Sequence, residues 1–212
     1  MRQRARILLA DDHTLVTEAL VRLLEPQYEV VGTVADGRAL LEAVRELRPD
    51  VVIVDIAMPM LNGLDAARQI REDGLECRLI FLTMAQDADL AAEAFRVGAS
   101  GYLLKTSAGW ELKQAVESTL RGGSYVTPSL GPALRARPAA EPDQGPHPEL
   151  TPRQREILEL LARGQSMKQV AADLGLTTRT VAFHKYQIMA RFRLHSTAEL
   201  IQLAIRRGVI AP

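Results

Sequence analysis

This 212-residue sequence lacks paired cysteines, long apolar runs and formal net charge. Cys77 is the only cysteine, so it cannot form an internal disulfide, and we expect a buried, inert thiol. The longest apolar stretches, such as residues 51–54, are far shorter than the roughly 18 residues that a membrane span requires. The apolar run after the basic N-terminus is too short for a secretory signal. We therefore expect a globular protein of the cytoplasm.

Charge and proline are distributed unevenly along the chain. Residues 1–125 carry 14 basic and 19 acidic side chains, a net charge of −5, whereas residues 151–212 carry 10 basic and 4 acidic side chains, a net charge of +6. Seven of the eleven prolines lie between residues 126 and 152, in a segment that cannot bury a core. We predict domains at 1–125 and 150–212, joined by a linker at 126–149. The basic C-terminal domain is expected to bind an anionic partner, with nucleic acid as the first candidate.

Short apolar runs alternate with segments of helical period in the first domain. The predicted strands are "RILLA", "YEVVGTV", "VVIVD", "RLIFLT" and "GYLLK", and the predicted helices are residues 13–25, 37–48, 63–73, 87–97 and 108–121. Several runs show no polar alternation, as expected for strands that are covered on both faces. The pattern predicts a doubly wound α/β fold with a five-stranded parallel sheet.

The C-terminal domain shows helix starts and no strand pattern. Ser or Thr stands three residues before Gln or Glu at Thr151, Ser166 and Ser196, which is the spacing of a capping box. A further helix start near residues 177–180 gives four helices. The second of these stops at Gly175, and the third follows after a short turn. We predict a small all-α domain that contains a helix-turn-helix.

Polar residues stand at the ends of several predicted strands. Asp11 and Asp12 follow the first strand, Asp55 ends the third, Thr83 ends the fourth and Lys105 ends the fifth. The carboxyl ends of parallel strands meet at one edge of the sheet, where ligands bind. Three carboxylates there suit Mg²⁺, and a lysine opposite them suits an anion such as a phosphoryl group.

Each of these residues also has a simpler explanation. Asp12 could cap the helix that starts near His13. Thr83 ends a strand as threonine commonly does, and Lys105 could extend its ammonium group into water. Asp55 is harder to explain, because a carboxylate that closes an apolar strand is costly to bury unless it is paired. Their combination at one sheet edge favours a functional site.

Ordered motifs in both domains resemble a known family. The motifs "DDH" at 11–13, "VDIAMPMLNGL" at 54–64, "FLTM" at 81–84 and "GASGYLLK" at 98–105 resemble the receiver domain of bacterial two-component response regulators, over essentially all of residues 5–123. Residues 150–185, "LTPRQREILELLARGQSMKQVAADLGLTTRTVAFHK", resemble the LuxR-type helix-turn-helix. The chain as a whole resembles the NarL/FixJ class, whose receiver has a flavodoxin-like fold.

The resemblance implies that Asp55 accepts a phosphoryl group from a partner sensor histidine kinase. Asp11, Asp12 and Asp55, together with the backbone carbonyl of Ala57, would hold Mg²⁺. An aspartyl phosphate adds negative charge and acceptor oxygens, to which the surrounding strand ends must respond. The site would therefore act as a charge-driven switch.

The resemblance also assigns the residues that respond to the phosphoryl group. Lys105 would pair with its oxygens, Thr83 would move to form a hydrogen bond with them, and Tyr102 would move inward into the space that Thr83 leaves. Pro59 and Gly63 are better explained as residues that shape the loop than as chemical groups.

The helix from about Thr178 to Phe192 is predicted to enter the major groove of DNA. The resemblance implies contacts with bases or with the DNA backbone by Thr178, Arg179, Thr180, Ala182, Phe183, Lys185 and Tyr186. Ala182 stands where many relatives have lysine, which removes a hydrogen-bonding group for guanine. Phe183 could equally belong to the core, and His184 is expected to pack rather than bind.

Two features near the C-terminus bear on helix ends and on assembly. Arg193 stands where many relatives have glycine, and a left-handed cap costs a non-glycine residue about 1 kcal/mol, so we expect this helix to end differently. Leu200, Leu203 and Ala204 lie on one face of the last helix, which is either core or partly a dimer surface. A homodimer would fit a two-fold DNA site.

The sequence supports three functional hypotheses. The first is a DNA-binding transcription regulator, not an enzyme, that is controlled by phosphorylation of Asp55. The second is a Mg²⁺-dependent phosphatase-like enzyme with Asp55 as nucleophile. This hypothesis is weakened because Ala57 stands where such enzymes often need a second acid. The third is a DNA-binding protein in which the receiver serves only as an interaction module.

Overall fold

The computed structural model describes residues 4–84, 86–135 and 150–210. The chain forms two compact units, Met1–Ala136 and Arg137–Pro212. Within these described ranges, no helix has the length and apolar character needed to cross a membrane. Most of the predicted linker, residues 136–149, lies outside the described residues, so the linker stays a prediction.

The first unit is built on a single parallel sheet. Its strands are Arg6–Ala10 (β1), Glu29–Val34 (β2), Val51–Asp55 (β3), Arg78–Thr83 (β4), Ala99–Leu104 (β5) and Tyr125–Val126 (β6). Their order is β2-β1-β3-β4-β5-β6, and every neighbouring pair is parallel. The predicted doubly wound fold is confirmed, and the sheet has a sixth strand. This strand is only two residues long, which is too short to produce a recognisable sequence pattern.

Helices connect the strands and cover the sheet. They are Thr14–Leu24 (α1), Gly37–Leu47 (α2), Gly63–Glu72 (α3), Ala88–Arg96 (α4), Ala108–Leu120 (α5) and Gly131–Arg135 (α6). Ile7 and Ile53 pack in one cluster with Leu112 and Val116 of α5. Neighbouring strand residues, such as Leu8, point to the opposite face and are also fully buried. With both faces apolar, polar chemistry is confined to the strand ends.

The first compact unit extends past the predicted domain boundary, and its cysteine is buried. β6 begins at Tyr125 and α6 lies wholly beyond that residue, and both belong to the first compact unit, which ends at Ala136. Cys77 is buried, as expected. Burial raises the pKa of its thiol, against the smaller opposing effect of Arg71, so the sulfur stays in its less reactive protonated form.

The second unit is a helical bundle with its own core. Its helices are Pro152–Ala162 (α7), Met167–Leu174 (α8), Thr178–Arg191 (α9) and Thr197–Arg206 (α10). Residues from all four helices form one cluster that includes Ile157, Leu161, Val170, Val181, Ile188 and Leu203. The four predicted helices are therefore present.

Two of the three predicted capping boxes form completely. At Thr151 and Ser166 the hydroxyl and the glutamine three residues later bond each other's backbone N–H groups. Ser196 also accepts a bond from the backbone N–H of Glu199. Oε2 of Glu199, however, accepts from the backbone N–H of His195 at 2.8 Å. The third site is thus a single cap, because the glutamate satisfies the preceding residue instead.

A left-handed residue ends both helices of the helix-turn-helix. Gly175 has φ 64° after α8, and Arg193 has φ 53° after α9. After α9, Leu194 N donates to Met189 O at 2.7 Å and Arg193 N donates to Ala190 O at 3.2 Å. Our expectation that this helix ends differently was wrong. The two hydrogen bonds satisfy carbonyls at the helix end and offset the cost of placing arginine in this conformation.

Candidate functional site

The sheet order brings polar residues from distant parts of the chain to one edge. β1 and β3 are neighbours, so Asp11 and Asp55 lie next to each other at their carboxyl ends. β5 lies two strands from β3, or about 10 Å away, and only a long side chain can cross that distance. Lys105 does so: its Nζ lies 2.8 Å from Oδ2 of Asp55 and 2.7 Å from Oδ2 of Asp11.

The three charges of this cluster are almost completely removed from water. The side chains are 6% exposed for Lys105 and 4% exposed for Asp11 and Asp55. Two buried carboxylates would repel each other, and each would be costly to bury alone. The ammonium group between them offsets both effects. The site is therefore held together by its own charges, and the loss of Lys105 would leave both carboxylates without their ammonium partner.

The acidic residues offer the donor set that a hard cation prefers. Ligand atoms of Asp11, Asp12, His13 and Asp55 all lie within 4.8 Å of one another. Three of the four are carboxylates, which suit Mg²⁺, and Asp12 is partly exposed, which leaves room for water ligands. The backbone N–H of Ala57 donates to Oδ1 of Asp55 at 3.1 Å. The role of the Ala57 carbonyl stays a prediction.

His13 is a member of this cluster that the sequence reasoning missed. Its Nδ1 lies 3.1 Å from Oδ1 of Asp11 and 3.0 Å from Oδ1 of Asp12. His13 is also the N-cap residue of α1 and makes no side-chain cap there. Asp12 is therefore not the N-cap of α1, which removes the simpler explanation for that residue. The adjacency of "DDH" was the only available signal for His13.

The loop after β3 packs tightly against the backbone of Asp55. Gly63 N donates to Ile56 O at 2.9 Å. A Cβ atom at Gly63 would lie 2.2 Å from the carbonyl oxygen of Asp55, closer than real side chains approach. Gly63 therefore shapes the loop, in keeping with its interpretation from the sequence, and it does so by lying directly on the residue that carries the chemistry.

Thr83 and Tyr102 are both buried beside the acidic cluster. The carbonyl of Thr83 accepts from Lys105 N at 2.7 Å. Burial, then the carboxylates of Asp87 and Asp55, raise the pKa of Tyr102 well above its usual value, so its phenol stays protonated. The ring of Tyr102 lies inside the fold, and its movement stays a prediction.

Asp87 is a second residue that the sequence reasoning missed. It is buried, and its Oδ1 accepts from Asp89 N at 2.8 Å and from Leu90 N at 3.3 Å, which caps α4. Its carboxylate also contributes to the raised pKa of Tyr102. The start of α4 is therefore electrostatically linked to the tyrosine. Only its cap position was visible in the sequence.

The predicted DNA-contacting residues of α9 differ in exposure. Thr178 and Tyr186 are exposed, whereas Arg179, Ala182 and Lys185 are partly exposed. Nζ of Lys185 lies 3.2 Å from Oγ1 of Thr197 and 5.9 Å from the ring centre of Tyr186. These five residues offer two cations, one hydroxyl and one aromatic ring on the surface of α9.

Thr180 and Phe183 are buried in this structure. The hydroxyl of Thr180 lies 2.8 Å from that of Thr177, the N-cap of α9. Phe183 meets the ring of His184 edge to face, with centroids 5.7 Å apart. Their predicted contacts with DNA would require these side chains to become accessible. His184 is 2% exposed, as expected for a packing residue.

Each of the two units matches a family of known proteins. Residues 7–117 match the family model of the response regulator receiver domain, and residues 148–204 match that of the bacterial regulatory proteins of the luxR family. The transcriptional regulatory protein MctR of Rhizobium johnstonii is 34% identical, over 99% of this chain and 97% of its own length.

Solved structures give the same result. A two-component response regulator of the LuxR family from Aurantimonas sp. SI85-9A1 is 38% identical, covers 63% of this chain and 96% of its own, and has a TM-score of 0.60. RcsB of Salmonella typhimurium shares the fold, with 23% identity, coverage of 94% and 98%, and a TM-score of 0.61. A complex of RcsB with DNA is also among the similar structures.

The chain therefore belongs to the two-component response regulators of the NarL/FixJ class, with a receiver domain followed by a LuxR-type helix-turn-helix domain. The acidic cluster at the carboxyl ends of β1 and β3 is the candidate phosphoacceptor site of the receiver. The surface of α9 is the candidate DNA interface.

Proposed function

We propose that this protein is a cytoplasmic transcription regulator that binds promoter DNA and is controlled by Mg²⁺-dependent phosphorylation of Asp55 by a sensor histidine kinase. The observation that carries this proposal is the placement of Asp55. It is a buried carboxylate at the end of β3, beside a second acid and 2.8 Å from the Nζ of Lys105. Its role is regulatory rather than enzymatic, in keeping with the named function of its relative MctR.

Asp55 supplies the oxygen that accepts the phosphoryl group. A carboxylate oxygen attacks phosphorus, a new P–O bond forms, and the P–N bond to the kinase histidine breaks with its electron pair left on the imidazole. Mg²⁺ held by Asp11, Asp12 and Asp55, with the carbonyl of Ala57, would neutralise charge on the transferring group. Lys105 starts from its contact with Asp55 and then pairs with a phosphoryl oxygen.

The response to phosphorylation passes through residues next to the site. The backbone of Thr83 is bonded to Lys105, so the two can move together toward the new oxygens. Tyr102 is buried in β5, and after burial itself the carboxylate of Asp87, which caps α4, is the next cause of its raised pKa. A change at Asp55 therefore reaches α4 and β5 through direct neighbours. These elements would carry the signal to the surface of the receiver.

The second unit supplies the output. α9 presents Arg179 and Lys185 for phosphates, with Thr178, Ala182 and Tyr186 beside them on the same helix. Residues 151–212 carry a net charge of +6, which favours DNA as the partner. The structure of RcsB with DNA supports this assignment by analogy of fold. We propose that a homodimer binds, because two copies match a two-fold site.

The phosphoacceptor is tested by labelling with acetyl phosphate and Mg²⁺, separated on phosphate-affinity gels. We expect wild type to be labelled and Asp55→Ala to be unlabelled. The control Asp73→Ala, which removes an exposed carboxylate, should be labelled like wild type. Chelation of Mg²⁺ should abolish the label. Labelling that survives in Asp55→Ala would contradict the assignment.

The output is tested by selection of DNA sequences with the full chain, with and without beryllofluoride, which mimics the phosphoryl group. We expect beryllofluoride to raise affinity for selected sites in wild type, and to have no effect in Asp55→Ala. Equal affinity and site choice under both conditions in wild type would show that Asp55 does not control DNA binding.

A further inference from the structure

Thr127, directly after β6, is bonded to the strand that carries the switch residues. Its backbone N–H donates to the carbonyl of Tyr102 at 3.0 Å. Its hydroxyl oxygen accepts from the backbone N–H of Leu104 at 3.1 Å. The same hydroxyl donates to Oε2 of Glu111 at 2.8 Å. The segment that follows β6 in the chain is therefore hydrogen-bonded to two residues of β5, Tyr102 and Leu104.

Both peptide groups of Leu104, the residue before Lys105, have partners that hold them in place. The N–H is bonded to Thr127. The carbonyl accepts from Ser107 through its backbone N–H at 3.0 Å and through its hydroxyl at 3.1 Å. The hydroxyls of Ser107 and Thr127 lie 3.5 Å apart. The backbone immediately before Lys105 is thus held in place by the buried hydroxyl groups of Thr127 and Ser107.

Glu111, on the first turn of α5, is the charged acceptor of this hydrogen-bond network. It is buried, and no cation among the described residues forms an ion pair with it. A buried carboxylate requires hydrogen-bond donors, and a bond to a charged acceptor is stronger than a neutral one. Partial burial, followed by the charge of Glu111 and a hydrogen bond to it, raises the pKa of Tyr125. Tyr125 in β6 is therefore held by the same carboxylate.

The hydroxyl of Thr127 is fully used in this arrangement. A hydroxyl has one hydrogen to donate and lone pairs to accept with. Glu111 takes the hydrogen, which orients the lone pairs toward Leu104 N. An isosteric valine would leave a buried carboxylate oxygen and a buried N–H without these partners.

We propose that Thr127 is a positioning residue for Lys105, and that Glu111 and Thr127 together tie the segment leaving the receiver to the end of β5. This inference rests on the proposed role of Asp55 as phosphoacceptor. Lys105 has little freedom, because its ammonium group crosses the sheet edge to reach both Asp11 and Asp55. A small displacement of its backbone would therefore move the ammonium group away from the two carboxylates.

The test compares Thr127→Val, which keeps the shape and removes the hydroxyl, with Thr127→Ser, which keeps the hydroxyl. The rate of labelling by acetyl phosphate is measured at saturating Mg²⁺ in the full chain. We expect Thr127→Val to be slower by about tenfold and Thr127→Ser to recover most of the wild-type rate. The matched control is Thr119→Val, which removes another buried hydroxyl at the far end of α5 and should label normally.

The outcomes separate this inference from the proposed function. If wild type is labelled, Asp55→Ala is not, and folded Thr127→Val labels at the wild-type rate, the positioning role is refuted and the phosphoacceptor stands. If Asp55→Ala still labels, the proposed function itself fails. If Thr127→Val does not fold, Glu111→Gln takes its place, since it keeps an acceptor but removes the charge. We then expect weaker binding of beryllofluoride by calorimetry, and unchanged binding would overturn the inference.

Discussion

The two candidate sites of this protein place charge in opposite environments. In the receiver, the side chains of Asp11, Asp55 and Lys105 are nearly removed from water, and the ammonium group of Lys105 lies within hydrogen-bond distance of both carboxylates. On α9, Tyr186 is 61% exposed and Lys185 is partly exposed. The first site depends on precise mutual contact, whereas the second presents its groups to solvent and a partner.

This difference determines how each site should respond to change. A buried charge that loses its partner has no water to replace it, so single substitutions there have large and non-additive effects. Charges on a helix surface are screened by solvent and salt, so each contributes a small and nearly independent amount. The following predictions test this contrast, beginning with the largest expected effect.

Lys105→Met should destabilise the receiver by about 3–5 kcal/mol, because it leaves two buried carboxylates without their cation. The control is Asp73→Ala, which breaks the exposed pair with Arg45 and should cost at most about 1 kcal/mol. Urea denaturation in the presence of a chelator, followed by fluorescence of the single tryptophan Trp110, reports on the receiver. If both variants lost the same free energy of unfolding, the contrast between buried and exposed charge would be refuted.

Gly63→Ala should destabilise the receiver by about 1–3 kcal/mol, since its Cβ would collide with the carbonyl of Asp55 and push the loop away. Gly109→Ala is the matched control. Gly109 is exposed on α5 with open space around it, so alanine there should be neutral or stabilising by up to about 1 kcal/mol. The same denaturation assay measures both variants, and labelling of Asp55 should slow only in Gly63→Ala.

Arg193→Gly should stabilise the second unit by up to about 1 kcal/mol, because glycine adopts the left-handed conformation without strain. Ala190→Gly, on the exposed side of α9, should have the opposite effect and cost about 1 kcal/mol. Hydrogen exchange of peptides that cover α9 measures both changes within the full chain. Faster exchange in Arg193→Gly would show that the arginine contributes more than its backbone conformation.

Arg179→Ala should have the smallest effect, confined to binding. We expect it to weaken DNA binding about equally for different sequences and to lower the slope of log affinity against log salt by about one. Arg163→Ala removes an equal charge at the end of α7, where it pairs with Glu159, and should leave the slope unchanged. Binding titrations at several salt concentrations would contradict a phosphate contact if the two variants behaved alike.

Sequence reasoning predicted most of the elements and the polar residues at the strand ends. Asp55 was recognisable because it closes an uninterrupted apolar run, and Gly175 because it follows a helical pattern. Strand β6 and the network of Thr127 and Glu111 were not predicted. Their hydrogen-bonded partners are up to 25 residues apart in the sequence, and neither feature has a local pattern that distinguishes it from an ordinary turn or helix residue.

The sequence by itself determined the periodic elements, the separation of charge between the two halves and the order of residues at the strand ends. These properties depend on local patterns of apolar and polar residues. The tertiary structure decided which of those residues meet. It placed Lys105 between Asp11 and Asp55, added His13 to the acidic cluster and buried Thr180 and Phe183. Such contacts follow from the lateral order of strands and the reach of side chains, which no local pattern encodes.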